Sequence, residues 1–119
     1  MVPENLATES DAARAIAESE SVPVFIYKHS YVCHLSSTAI DEIRAFMEGG
    51  AGGFRLFQVD VIGARPASLE IENLTRIRHE SPQILLIWKS ECVWHASHGR
   101  IRAAELKAQA DLMRARMRG

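Results

Sequence analysis

The chain has 119 residues, with 14 Lys and Arg against 15 Asp and Glu and a net charge of −1 when His is neutral. That balance gives no overall pull toward nucleic acid or an anionic membrane surface, and no apolar run approaches the roughly 20 residues of a membrane span. One domain over residues 1–119 is expected, large enough to build a core without disulfide staples or metals.

A first helix is predicted from about Ser10 to Ser19, capped by Thr8 with Asp11 or by Ser10 itself. Ile16, with Ala12 or Ala13 a turn earlier, gives it a modest apolar face. Val22 and the run Val24 to Tyr27 are continuously β-prone, as suits an interior strand covered on both faces. From Lys28 to Cys33 the pattern breaks. Leu35 to Glu48 then reads as a helix with Ile40, Ile43, Phe46 and Met47 facing the core, ended by the glycine-rich stretch 49–53. Phe54 to Asp60 is the second strand. Pro66 suits the first position of a third helix, with Ile71, Leu74 and Ile77 as its buried stripe. Gln83 to Lys89 is a third strand, and a tight link at Ser90-Glu91 leads to a fourth at Cys92 to Ala96. A last helix, roughly Arg102 to Arg116, buries Leu106, Met113 and one or both of Ala110 and Met117. The order α-β-α-β-α-β-β-α predicts an α/β fold: a four-stranded mixed sheet flanked by helices on both faces.

Two cysteines, Cys33 and Cys92, are too few for a disulfide framework and suit a reducing compartment. The first residues lack the basic segment and apolar core of an export signal, so a cytoplasmic location is expected. Cys33 is the more informative of the two. It falls between the carboxyl end of a strand and the first turn of a helix, where backbone N–H groups lack partners and the peptide dipoles favour negative charge. A thiolate there gains from both effects, so ionisation below the free value of about 8.5 is expected. Lys28 and His29 lie just before the loop and His34 follows the cysteine. A cation among them would assist, although all three read more readily as solvated surface residues, and a buried inert thiol is the plain alternative for Cys33. Ser36 occupies the place of the second thiol in a C-x-x-C pair. A hydroxyl has no redox chemistry, so any exchange here uses one cysteine; Ser36 is left with a hydrogen bond to sulfur or a local helix cap.

Three pieces of the chain, VFIYKHSYVCHLS, ESPQILLIWK and VWHASHGRI, together resemble the monothiol bacilliredoxins of the YtxJ type, within the thioredoxin superfamily. The similarity spans roughly Ser19 to Leu106. It implies a thioredoxin-like fold, Cys33 as the nucleophile and Pro82 as a cis proline facing it. It also implies a reaction: Cys33 attacks the bacillithiol sulfur of a mixed disulfide on a bacillithiolated protein, frees the protein thiol and keeps the small one. An external low-molecular-weight thiol or a redoxin then resets the enzyme. Bacillithiol is thus a co-substrate, and no cofactor or metal is expected. Glu80, Ser81, Tyr31 and Val32 are candidates for the substrate groove. The chain departs from the family's TCPI stretch at Val32 and His34, which replace its threonine and proline.

With Pro82 beside Cys33, Cys92 would lie beyond the whole third strand, roughly 20 Å away at about 3.3 Å per residue. A disulfide needs Cα atoms within about 7 Å, so Cys92 reads as a strand residue and not a resolver. His95 and His98 fall on opposite faces of a strand and form no zinc framework; His98 reads as a structural hydrogen-bonding residue. Trp88 and Trp94 read as packing residues. The basic stretch from Arg100 to Arg118 has no interleaved aromatics and is not a nucleic-acid patch. Two other functions fit the same residues: a non-catalytic protein-binding adaptor, and exchange with a different small thiol.

Overall fold

The structure, a computed structural model, describes residues 3–119. Its first helix α1, Glu9–Glu18, follows a capping box in which Thr8 accepts from the Asp11 amide and the Asp11 carboxylate accepts from the Thr8 amide. The strand β2, Val24–His29, is buried at all six positions. It ends two residues later than the hydrophobic pattern predicts, because Lys28 and His29 continue it. A short edge strand β1, Glu4–Asn5, precedes α1 and adds a fifth strand to the expected four. The helix α2 spans Leu35–Gly49, β3 spans Arg55–Asp60 and α3 spans Arg65–Thr75. Next come β4, Gln83–Trp88, and β5, Glu91–Ser97, and a 3-10 turn at His98–Arg100 leads into α4, Ala103–Arg118.

The sheet order is β1-β3-β2-β4-β5. β1, β3 and β2 run parallel, while β4 is antiparallel to β2 and β5 antiparallel to β4. Each face carries its own core. Phe25, Tyr27, Ile84 and Leu86 pack under α2 and α4, against Ile43, Phe46, Leu106 and Met113. Val24, Ile26, Leu85 and Ile87 pack under α1 and α3, against Ala12, Ile16, Ala67 and Ile71. Each large apolar side chain so buried contributes about 1.5–3 kcal/mol, and β2, covered on both faces, is the centre of the molecule.

Three sequence expectations change. The α3 stripe is Ala67, Ser68 and Ile71; Leu74 is exposed, and Ile77 lies past the helix end, where Arg76 turns left-handed at φ 64°. Pro66 occupies the second helical position, not the first. The hairpin turn is Lys89-Ser90, one residue earlier than expected, with both residues at positive φ. Leu106, Ala110 and Met113 are buried on α4 as predicted, whereas Met117 is exposed. No helix is long and apolar enough to cross a membrane among the described residues.

Candidate active site

The parallel pair β2 and β3 and the antiparallel β4 bring three chain segments to one end of the sheet. β2 runs out at His29 into the loop Ser30–His34, and β3 runs out at Asp60 into the stretch 61–64, whose Val61 amide donates to the His29 carbonyl. β4 begins at Gln83, paired with Lys28, so the residues just before it reach the same end. The Ser81–Pro82 peptide is cis, as the family resemblance implies. The Pro82 carbonyl accepts from the His98 amide, which ties the proline to the 3-10 turn after β5.

Cys33 is half-buried in this loop and immediately precedes His34, the N-cap residue of α2. The loop is braced in three places. The Cys33 amide donates to the Ser30 carbonyl, the Ser36 amide donates to the Cys33 carbonyl, and the Ser30 amide donates to Ser36 Oγ. Ser36 is buried, so its hydroxyl serves the loop backbone; neither of the roles expected for it, sulfur partner or helix cap, is its contact here. The amides at the helix start are less free than the sequence suggests. Those of Ser36 and Ser37 donate to the carbonyls of Cys33 and His34, leaving His34 and Leu35 as the amides with no acceptor among the described residues. His34 is exposed and makes no side-chain capping bond.

Lys28 and His29, expected at the solvated margin, are instead buried, Lys28 completely. Alternation along β2 sends them to opposite faces. On the α2 face the Tyr27 hydroxyl lies 2.8 Å from His29 Nδ1 and 3.2 Å from the Ser36 carbonyl oxygen. One phenolic proton cannot serve two acceptors, so the imidazole tautomer with a proton on Nδ1 satisfies both contacts. Burial pushes the Tyr27 phenol up to about 12; its bond at Ser36 opposes this, while the charges of ionised Cys33 and Tyr31 add to it. Burial also pulls His29 below its usual value, with Asp60 opposing and Arg44 reinforcing.

On the α3 face Lys28 Nζ is 3.1 Å from His79 Nδ1, which Ser68 Oγ also approaches at 3.3 Å. The His79 amide donates to Glu72. Burial lowers Lys28 to about 8 despite Glu72, and burial together with the Lys28 charge lowers His79. Gln83 Nε2 donates to the Arg78 carbonyl and to Ser97 Oγ. These contacts fasten the segment 76–81 that leads into the cis peptide. Ser81 Oγ and Gln83 Oε1 are buried without a protein partner. The sequence carried a signal for part of this cluster, namely polar residues closing an apolar strand; nothing in it pointed to His79.

Several exposed side chains of this end are apolar. Tyr31 and Val32 are 71% and 81% exposed, and Leu35 in the first turn of α2 and Ile62 after β3 are exposed as well. Glu80 accepts from Ser97 Oγ and lies 3.6 Å from His98 Nδ1. Cys92 is elsewhere: it pairs with Ile87 in the sheet, five residues of strand, about 17 Å, from Pro82. Its thiol donates to the Trp94 carbonyl at 3.2 Å, and burial pushes it up to about 11. No three His, Cys, Asp or Glu side chains converge to hold a metal among the described residues.

Residues 4–106 match the family described as monothiol bacilliredoxin BrxC. The chain belongs to the monothiol bacilliredoxin family. It is also 31% identical to a solved thioredoxin-fold protein assigned provisionally as an oxidoreductase, with a TM-score of 0.80, 92% of this chain covered and 94% of that one. Thioredoxins of Fasciola hepatica and Malassezia sympodialis superpose with TM-scores of 0.71 and 0.73 at 16% and 12% identity. The first pairing covers 91% of this chain and 96% of the other, the second 93% and 90%. These two likenesses establish the thioredoxin-like fold alone. Membership of the bacilliredoxin family adds a thiol-redox role in general terms.

Proposed function

We propose that the protein removes bacillithiol from protein mixed disulfides by one-cysteine exchange at Cys33. The thiolate attacks the bacillithiol sulfur. A disulfide forms between Cys33 and the small thiol as the original one breaks, and the substrate cysteine leaves as a thiolate that takes a proton from water. One disulfide is consumed and one is made. A second thiol, from a small-molecule pool or a redoxin, then attacks the bound bacillithiol sulfur and returns Cys33 to its reduced form. The observation that carries the reading is the family match over residues 4–106. The arrangement around Cys33 supports it: the positions three residues before and after it, where a C-x-x-C partner would stand, hold Ser30 and Ser36, and the Ser36 hydroxyl accepts from the Ser30 amide. Cys33 is half-buried next to the exposed Tyr31 and Val32, and in this reading Ser81 and Pro82 are groove walls and Lys28 and His34 supporting residues.

The test offers reduced protein to a bacillithiolated model protein and follows intact masses. Transfer of one bacillithiol to wild type and to Cys92→Ser, and none to Cys33→Ser, is expected. Retention of bacillithiol on the substrate with every variant would overturn the proposal, as would transfer from glutathionylated protein alone.

A further inference from the structure

A cavity of about 580 Å³ opens beside the Cys33 loop, between α2 and the strand β3. Its volume lies in the range of small-molecule sites. Ile43 and Leu56 give it an apolar floor, while His29 and Tyr31 stand at the end nearest Cys33. Ser37, the first α2 residue of its wall, is one helical turn beyond the cysteine. The cavity therefore begins within a few residues of Cys33, on the β3 side of β2 and not on the β4 side, where the cis proline lies.

Its wall carries one cation. Arg44 lines the cavity and is exposed, and among the described residues its guanidinium has neither an ion-pair partner nor a hydrogen bond. Gln58, across from it on β3, likewise has a side-chain amide without a partner among those residues. Helical side chains lean toward the helix N-terminus, which aims Arg44 back toward Cys33, and its charge is felt at His29. Glu48, one turn further along α2, closes the far end with the opposite sign.

We propose that this cavity holds the arm of the small thiol while its sulfur is bonded to Cys33, and that Arg44 is the ion-pair partner of a carboxylate on that arm. The inference rests on the one-cysteine exchange proposed above and names the class of thiol it takes. Arg44 lies eleven residues beyond Cys33, about 16 Å along the helix axis. Even with the guanidinium reaching back, the carboxylate must sit many bonds from the sulfur. Bacillithiol and glutathione meet that requirement. Cysteine, whose carboxylate is next to the carbon bearing its sulfur arm, does not. Glu48 sets the limit by repelling a carboxylate that passes Arg44.

Rates of oxidation of reduced protein by bacillithiol disulfide, glutathione disulfide and cystine, each divided by the rate with 2-hydroxyethyl disulfide, test the proposal. Arg44→Gln should lower the ratio for a long-armed disulfide about tenfold, equivalent to about 1.4 kcal/mol. The cystine ratio should move less than twofold, and Arg44→Lys should recover part of the loss. An equal fall for cystine, or no fall, overturns the assignment. Binding provides a readout free of the chemistry. S-methylbacillithiol or S-methylglutathione added to Cys33→Ser protein should shift the amide resonances of Tyr31, Ser37 and Gln58, and Arg44→Gln should abolish the shifts. Shifts confined to Ser81 and Ser97 would overturn it. Binding here without oxidation of Cys33 by any disulfide would sink the exchange reading alone. A preference for the glutathione compounds, still dependent on Arg44, would keep the cavity and change the thiol.

Discussion

The two ends of the sheet solve opposite problems. At the end of Cys33, apolar side chains face solvent while Lys28, His29 and Gln83 are buried. At the other end polar side chains fasten the chain. There Arg114 donates to the carbonyls of Gly50 and Gly52 and lies over the Phe54 ring, binding α4 to the glycine-rich stretch after α2. Gly53, at φ 88°, takes a conformation that suits its lack of a side chain. The Lys89-Ser90 turn is held to the end of α1: the Lys89 amide donates to the Ser19 carbonyl, the Ser90 amide to Ser19 Oγ, and Lys89 Nζ to the Glu20 carbonyl. One end is organised for stability, and the other carries buried ionisable groups that stability alone would not select.

Each end has one cysteine, and the largest expected difference lies between them. With its thiol pushed up to about 11, Cys92 is ionised in about one molecule in three thousand at pH 7.5. Only the thiolate is alkylated at a useful rate, so iodoacetamide should label Cys33 at least tenfold faster than Cys92. Peptide mass mapping over a time course reads the ratio. Equal rates would erase the contrast between the ends and favour a non-catalytic adaptor.

Lys28 tests whether the active end is held at a cost. Unfolded, Lys28 keeps its proton up to about 10.5; folded, it releases it near 8. Between those values the unfolded chain binds more protons, so this group makes stability rise with pH through that window. Below pH 8 the burial penalty is present in full. The swing is about 3 kcal/mol. Lys28→Met removes it and also the bond to His79. The variant should be the more stable protein at pH 7.5 by about 2 kcal/mol and lose that advantage by pH 10.5. Burial also raises Cys92 and Tyr27, which makes stability fall with pH in the alkaline range, but both contributions cancel when variant and wild type are compared. Urea unfolding at the two pH values gives the measurement. A difference that stays constant with pH would mean that Lys28 is solvated in the folded protein.

The structural end was the more legible in the sequence. Continuous apolar runs marked its strands, glycines marked the exit from α2, and Thr8 with Asp11 marked the start of α1, because each of these signals acts on neighbouring residues. At the active end Cys33 stood out for the same local reason, its place between a strand and a helix. Pro82 became readable through family resemblance, since no propensity favours a cis peptide there. Lys28 misled because solvation is the ordinary fate of a lysine after an apolar run; its burial depends on His79, fifty-one positions away. The α2–β3 cavity is likewise a product of packing between distant elements. Ile77 erred differently: a three-residue spacing reads as a buried stripe only while the helix continues, and α3 stops at Thr75, while Leu74, still inside the helix, faces solvent.

The smallest effect separates the ends most cleanly. Lys89 and Ser90 both occupy the left-handed region, at φ 54° and 66°, as a two-residue turn between twisted strands requires. A residue with a Cβ is disfavoured there, and glycine is not. Ser90→Gly relieves that strain and keeps the amide bond to Ser19 Oγ, while giving up the exposed Ser90 hydroxyl contact with Glu20. Greater freedom of the unfolded chain offsets part of the relief, so a gain of about 0.5 kcal/mol is expected in urea unfolding. Exchange at Cys33 should stay within twofold of wild type, because the turn lies at the far end of β4. A stabilised variant with altered exchange would mean that β4 transmits strain along its length to Pro82, and the two ends would then have to be treated as one mechanical unit.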